Sequence, residues 1–242
     1  MTKTYLKQLK TGALGFGITL DDDMLLKFEE YKNFLTEYNT HTNLISNTDL
    51  DEIFVKHFLD CLSFGVFKDK ANFDKIIDIG AGGGFPSAVM AIALPCSNVT
   101  AVDSIAKKTK FLELLAAHLG LKNLEVVNAR AEELGADKKY REKFSLSTTR
   151  AVARLSVISE YCIPFVEKGG HFLAFKALSA QEEISEAKTA VHTLGASYKE
   201  TFSYELKKEE SYSRNLLLFE KIKTTPALYP RQIGIPKKSP IL

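Results

Sequence analysis
The chain has 242 residues, 45% hydrophobic and 26% charged, with a net charge of +2 and a pI near 8.3. This is the composition of a soluble globular protein, long enough for one sizeable domain with an accessory element, and too mildly charged to announce a nucleic-acid binder by itself. No apolar run is long enough to span a bilayer, and Met1 to Leu20 lacks the apolar core of a secretory signal, so a cytoplasmic protein with no membrane partner is expected. Three widely spaced cysteines, Cys61, Cys96 and Cys162, form no Cys-x-x-Cys pair, which argues against a disulfide framework and a zinc site.

The first seventy residues read as helical. Leu6, Leu9 and Leu14 are loosely spaced, and Thr19 to Asp23 supplies capping side chains and negative charge for a helix from about Asp22 to Thr40. Met24, Leu25, Phe28, Tyr31, Leu35 and Tyr38 give that helix one apolar face. Asn43 to Asp49 has turn chemistry, and a second helix is expected from about Leu50 to Phe67, with Ile53, Phe54, Phe58, Leu62 and Phe64 as its apolar positions. On it, Lys56-His57-x-x-Asp60 places a base, an imidazole and a carboxylate within about one turn. It reads either as a catalytic or cofactor-contacting group or as a hydrogen-bonded histidine at the rim of the core.

Phe73 to Ile79 is a β-branched and aromatic run suited to a strand buried on both faces, and it opens through Asp78 into Gly80, Gly82, Gly83 and Gly84. Pro86, suited to a first helical turn, then begins a helix to Leu94. A dinucleotide fingerprint would place its third glycine at the position held by Phe85. The loop instead resembles the Asp-x-Gly-x-Gly-x-Gly pattern of class I S-adenosylmethionine methyltransferases, and the acidic Asp78 suits a cationic ligand better than a pyrophosphate. A second strand, Asn98 to Val102, ends at Asp103, 25 residues after Asp78, where a carboxylate can accept ribose hydroxyls. By itself the loop also permits a plain tight turn in an α/β fold.

Ala106 to Gly120 forms the next helix, with Lys107, Lys108 and Lys110 near its start, either a solvated face or a sign of something anionic nearby. Leu124 to Asn128 is the third strand; in this fold class the loop after it lies over the adenine ring, so the backbone of Ala131 and Glu132 could read its edge. Phe144 to Thr149 is the fourth, with Arg150 at its carboxyl end, poised for a cofactor carboxylate or phosphate or serving only as a helix start. A helix from about Val152 to Val166, stopped by Gly169-Gly170, leads to a fifth strand, His171 to Phe175, ending at Lys176. After a helix from Gln181 to His192, strands at Ser197 to Tyr204 and Asn215 to Ile222 match the antiparallel hairpin that completes a seven-stranded methyltransferase sheet. Lys221, Lys223, Arg231, Lys237 and Lys238 give the last 22 residues five positive charges and no acid. That segment is either a solvated terminus or a phosphate-contacting tail.

No Asn/Asp-Pro-Pro-aromatic tetrapeptide follows the fourth strand, so methylation of an exocyclic amine is disfavoured; Pro95-Cys96 lies in the wrong place for a cytosine-C5 nucleophile. Guanine N7 fits better, because its ring lone pair is nucleophilic without loss of a proton. Catalysis would then rest on positioning, with no general base.

Asn43-Leu44-Ile45-Ser46, Phe54 to Asp60, Asp78 to Pro86, Asp103-Ser104-x-x-Lys107-Lys108, Arg130 to Glu133 and Thr149 to Ala153 occur in that order and resemble the glucose-inhibited division protein B family, the bacterial small-subunit ribosomal RNA methyltransferases G. Tyr229-Pro230-Arg231 with Gly234, Pro236 and Lys238 resembles the ending of its Gram-positive-type members. The resemblance implies an α/β class I fold, with a seven-stranded, mostly parallel Rossmann-like sheet and an N-terminal helical extension. The expected divisions are 1–70 for the extension, 71–223 for the methyltransferase core and 224–242 for the basic tail. It further implies S-adenosylmethionine as methyl donor and 16S ribosomal RNA or the 30S subunit as partner; a monomer is expected. Asp78, Gly80, Gly82, Phe85, Asp103, Ala131, Glu132 and Arg150 would hold the cofactor, while Arg150, Lys176, Lys107 and Arg130 would meet RNA or support catalysis. Two positions depart from the family pattern, Ser145 where Asp is usual and Ala177 where Gly is usual, both expected to flank the reaction edge. They leave a cofactor-binding ribosome-assembly factor with little catalysis as the alternative.

Overall fold
The structure, a computed structural model, describes residues 2–40, 44–46, 50, 52–177, 180–207 and 211–242. Asn43 and Asn47 to Asp49 of the expected turn lie outside them. The chain runs through α1 (Thr2–Gly15), α2 (Asp22–Asn39), α3 (Asp60–Leu62), β1 (Lys75–Ile79), α4 (Ser87–Ala93), β2 (Asn98–Asp103), α5 (Ala106–His118), β3 (Leu124–Asn128) and α6 (Ala131–Leu134). It continues through β4 (Phe144–Arg150), α7 (Leu155–Cys162), β5 (Val166–Lys176), α8 (Ala180–Thr193), β6 (Ala196–Lys207), β7 (Ser211–Lys221) and α9 (Ile235–Lys238).

The strands form one seven-stranded sheet in the order β3-β2-β1-β4-β5-β7-β6. The first five are parallel, β7 runs antiparallel to β5, and β6 antiparallel to β7. Helices cover both faces, so β1, β2 and β4 are buried along nearly their whole length, with successive side chains divided between two cores. Ile76, Leu216 and Leu218 pack with α1, α2, α4 and α5; Ile77, Leu217 and Phe219 pack with α6, α7 and α8.

At its N-terminus α2 starts where expected, because the Asp21 carboxylate accepts from the Met24 amide at 2.8 Å and Asp22 and Asp23 occupy the positive end of the helix. The segment expected as one helix from Leu50 to Phe67 is instead a π-helical stretch at Ile53–Leu59, then α3, then a 3₁₀ turn at Ser63–Phe67. A side chain inserted at a helix is one physical cause of such irregularity, and here the Lys56 carbonyl accepts from Arg150 at 2.8 Å.

The helix expected from Val152 starts later, at Leu155, whose amide is capped by the Glu183 carboxylate at 2.6 Å. It also ends earlier, in a 3₁₀ turn at Ile163–Phe165, because Pro164 has no N–H with which to continue it. Strand β5 accordingly begins at Val166 rather than His171. Gly169 and Gly170 lie inside that strand, where the pairing with β4 shifts register between Phe144 and Leu146, so the expected helix stop is a β-bulge.

The glycine loop after β1 is held against α2. An added Cβ on Gly84 would lie 2.5 Å from the Tyr31 hydroxyl oxygen and 2.9 Å from the Ala88 methyl, and Tyr31 donates to the Gly83 carbonyl. Only glycine allows this approach. Behind the loop, Asp78 is fully buried; its Oδ2 accepts from the Ser87 amide at 3.1 Å, while Oδ1 has no hydrogen-bond partner among the described residues. Burial, with a smaller contribution from Asp103, pushes its carboxyl from an ordinary 3.8 up to about 7.

The native protein therefore binds this proton more tightly than the unfolded chain, and stability is lost as pH rises from the unfolded value through about 7. Thermal unfolding of the wild type and Asp78→Asn at a series of pH values checks this. The midpoint of the variant relative to the wild type is expected to climb between about pH 4 and pH 7 and to level off above; a constant difference would show that Asp78 is ionised throughout.

Candidate active site
Strand order reverses direction between β1 and β4, so the carboxyl ends of these strands frame a crevice, the place where open α/β sheets receive ligands. A cavity of about 310 Å³ opens there, lined by Gly80, Asp103, Arg130, Ala131, Glu132 and Tyr161 and bounded on one side by Arg150, Ala151 and Val152. Asp103 is set by two backbone amides: Oδ2 accepts from Gly82 at 3.0 Å and Oδ1 from Ile105 at 2.9 Å. Lys108 faces the same carboxylate at 3.7 Å, whereas Lys107 points into solvent. Glu132 is buried and its Oε1 accepts from the Gly234 amide at 3.0 Å.

This donor set fits a nucleoside carrying a cationic tail. Two carboxylates, Asp103 and Glu132, suit hydroxyl and amine donors, and Gly80 brings bare backbone to the wall; a Cβ there would lie 2.5 Å from Val152 Cγ2. Lys108, which also lines this cavity, faces Asp103.

A second cavity of about 300 Å³ lies across Arg150, Ala151 and Val152, which line both spaces. Its walls include Asp60, Phe175, Lys176, Glu183, Tyr204 and Arg214. Arg150 is held from three sides: Nε donates to Asp60 Oδ2 at 2.8 Å, Nη1 to His57 Nδ1 at 3.1 Å and Nη2 to the Lys56 carbonyl at 2.8 Å. The Tyr204 hydroxyl donates to Asp60 Oδ1 at 2.8 Å, and burial followed by the Asp60 charge pushes that phenol far above its ordinary value. Lys176 pairs with Glu183 at 2.6 Å and donates to the Ala153 carbonyl at 3.0 Å, which ties the loop after β4 to the end of β5 and to α8.

The structure thus gathers Gly80, Asp103, Arg130, Ala131, Glu132 and Arg150 at one cleft and places Lys176 in the neighbouring one. Asp78 and Phe85 lie behind the cleft; Phe85 is buried in a stack with Tyr31, ring centroids 5.5 Å apart, and against His57 at 4.7 Å. Gly82 takes part through its amide on Asp103. Of the two Lys56-His57-x-x-Asp60 readings, the geometry makes this segment the seat of Arg150.

Ser145 does not flank the reaction edge. It sits at the opposite end of β4, where its hydroxyl accepts from the Lys75 amide and donates to the Lys75 carbonyl, both at 3.0 Å, completing the β1 edge. Ala177 does line the second cavity. Sequence reasoning missed Glu183, Tyr204 and Arg214, which arrive from distant segments, and chose Lys107 beside the inward-facing Lys108. Helical phase within the lysine run was the only local signal available.

A family model described as rRNA small subunit methyltransferase G matches residues 24–216. A ribosomal RNA small subunit methyltransferase G of Lysinibacillus sphaericus is 45% identical over 225 residues, covering 93% of this chain and 94% of the relative. One from Bacillus subtilis is 43% identical over 236 residues, 98% of each. Among solved structures, a branched-chain polyamine synthase mutein of Thermus thermophilus, in complex with N4-aminopropylspermidine and 5'-methylthioadenosine, aligns with a TM-score of 0.55 at 13% identity, over 69% of this chain and 56% of that one. TYW2 of M. jannaschii in complex with AdoMet aligns at 0.50 and 16% identity, over 63% and 72%. These two share the fold. With the match extending over most of the sequence and into the motifs that build both cavities, the chain belongs to the rRNA small subunit methyltransferase G (GidB) family.

Proposed function
We propose that the protein transfers a methyl group from S-adenosylmethionine to N7 of a guanine in 16S ribosomal RNA of the bacterial small subunit. The observation that carries this reading is the pair of cavities meeting at Arg150–Val152, one with the donor set for a nucleoside and one able to take a base. Asp103, Glu132, the Ala131 backbone and the bare Gly80 backbone would hold the cofactor, which when bound supplies an electrophilic methyl on a sulfonium.

What the chain contributes is alignment. Guanine N7 presents a lone pair and gives up no proton, so no general base is needed. Asp60 is committed to Arg150 and Tyr204, and Tyr204 keeps its proton. The Arg150 guanidinium and the Lys176–Glu183 pair fix the loop that divides the two spaces; fixed geometry is the main source of rate when both reactants need only be brought together. Lys107 beside the cleft and Arg130 at its wall are exposed cations open to an RNA phosphate.

Radiolabelled methyl transfer to 30S subunits lacking the modification, followed by mapping of the product base, tests the function. Label at N7 of one guanine is expected; binding of S-adenosylhomocysteine without labelled RNA would instead identify an assembly factor. Arg150→Ala should abolish labelling and lower the unfolding free energy by about 3 kcal/mol, since it strands the buried Asp60 carboxylate; full labelling by that variant would remove Arg150 from the site. Lys107→Ala and Arg130→Ala should each reduce the salt slope of RNA binding by about 0.7 to 0.9, and Lys107→Ala, outside the cleft lining, should leave S-adenosylhomocysteine affinity intact. Titrations at several salt concentrations measure this, and unchanged slopes would make both residues plain solvated cations.

A further inference from the structure
The basic C-terminal segment, a candidate phosphate contact by its charge, is folded back onto the cofactor side of the molecule. Arg231 meets Glu160, which is 1% exposed, through its backbone amide at 2.7 Å, Nε at 3.0 Å and Nη2 at 2.7 Å. Three residues on, the Gly234 amide donates to Glu132. Between them and the core, the Pro230 ring lies 3.0 Å from the position of a Cβ on Gly135, at the end of α6. Arg141 binds both sides of that contact, donating to the Gly135 carbonyl at 3.1 Å and to the carbonyls of Thr225 and Tyr229 at 2.7 and 2.6 Å.

These contacts converge on an element that cannot hold itself. Helix α6 has four residues, a single turn, and one turn is far below the length at which a helix persists on its own. Yet Ala131 and Glu132, half of that turn, form a wall of the cleft. Glu160 is followed by Tyr161, another lining residue, whose phenol is pushed up to about 12 by burial and by the neighbouring Glu132 and Glu160 carboxylates. The segment therefore touches one lining residue, Glu132, from behind, and Glu160, the chain neighbour of a second, Tyr161.

We propose that residues 225–234 are a positioning strap for the cofactor cleft: Arg231 on Glu160 and the Gly234 amide on Glu132 set the Ala131–Glu132 turn at the distance the ligand requires. This rests on the reading of that cleft as the cofactor site. Arg231 is a positioning residue, one layer behind the ligand, and its charge is spent on Glu160 rather than on RNA.

Calorimetric titration of the full-length protein with S-adenosylhomocysteine tests this. Arg231→Ala should raise Kd about tenfold and raise KM for S-adenosylmethionine while kcat at saturation is retained. Hydrogen exchange should quicken at the amides of residues 131–135 and stay unchanged in β1. Arg231→Lys, which keeps one charged contact, should restore part of the affinity; if the alanine variant does not fold, the lysine variant alone decides by the same two measurements. Wild-type affinity and exchange in the folded variants, or exchange quickened equally in α6 and β1, would overturn the proposal. So would a reduced salt slope for 30S binding at unchanged S-adenosylhomocysteine affinity, which would return Arg231 to phosphate contact. Failure of the wild type to bind S-adenosylhomocysteine would be seen first, and it would overturn the cofactor reading itself.

Discussion
The contact between Arg150 and Asp60 joins two layers that have no covalent reason to stay in register. Arg150 ends the fourth strand of the sheet, and Asp60 begins the short α-turn in the N-terminal helical region; their side chains are 15% and 2% exposed and meet at 2.8 Å. A buried ion pair adds little net stability over a well-packed apolar pair, because both groups give up hydration, but removing one partner is costly. Its effect is therefore specification. With His57 and the Lys56 carbonyl on the same guanidinium, and Tyr204 and Ser63 linked to Asp60 from the other side, the strand end can occupy one position only.

That position matters because Arg150, Ala151 and Val152 divide the two cavities. Ala151 has φ 57°, in the left-handed region where a side chain costs about 1 kcal/mol or more, and Val152 stands against Gly80. The surroundings hold this segment in place through Lys176 on the Ala153 carbonyl and Glu183 on the Leu155 amide. Backbone strain persists where neighbours over-determine the conformation, and such places are often functional. The glycine loop is complementary: it is clamped from α2 through Tyr31, so the wall facing Val152 is as fixed as the septum itself.

The parts of this architecture legible in the sequence are those encoded locally. Strand β1 announced itself by an Ile-rich run, the loop by its glycine spacing, the β2 carboxylate by its distance from Asp78, and α2 by its acidic cap. Their signals lie within ten residues or, for Asp103, at a spacing of 25 residues along the chain. The π-helical stretch, the bulge at Gly169-Gly170, and the position of Lys108 depend on what packs opposite, which periodicity does not report. The Ser145 hydroxyl looked like a departure at the reaction edge, and in three dimensions it repairs the opposite end of the β1–β4 pairing.

Charge along the sequence likewise does not separate paired cations from exposed ones, and the difference bears on how a nearly neutral chain can serve an RNA-directed family. Of the five cations between Lys221 and Leu242, Lys221 is 1% exposed and satisfied by the carbonyls of Ile163 and Val166, the Thr225 hydroxyl and Glu142. Arg231 is neutralised by Glu160. Lys223, Lys237 and Lys238 remain on the surface. Two cations of this positive segment thus cross-link the fold, on carboxylates supplied by α7 and the loop before β4. The cations left for a phosphate backbone are the exposed ones, found by burial and pairing rather than by position in the sequence.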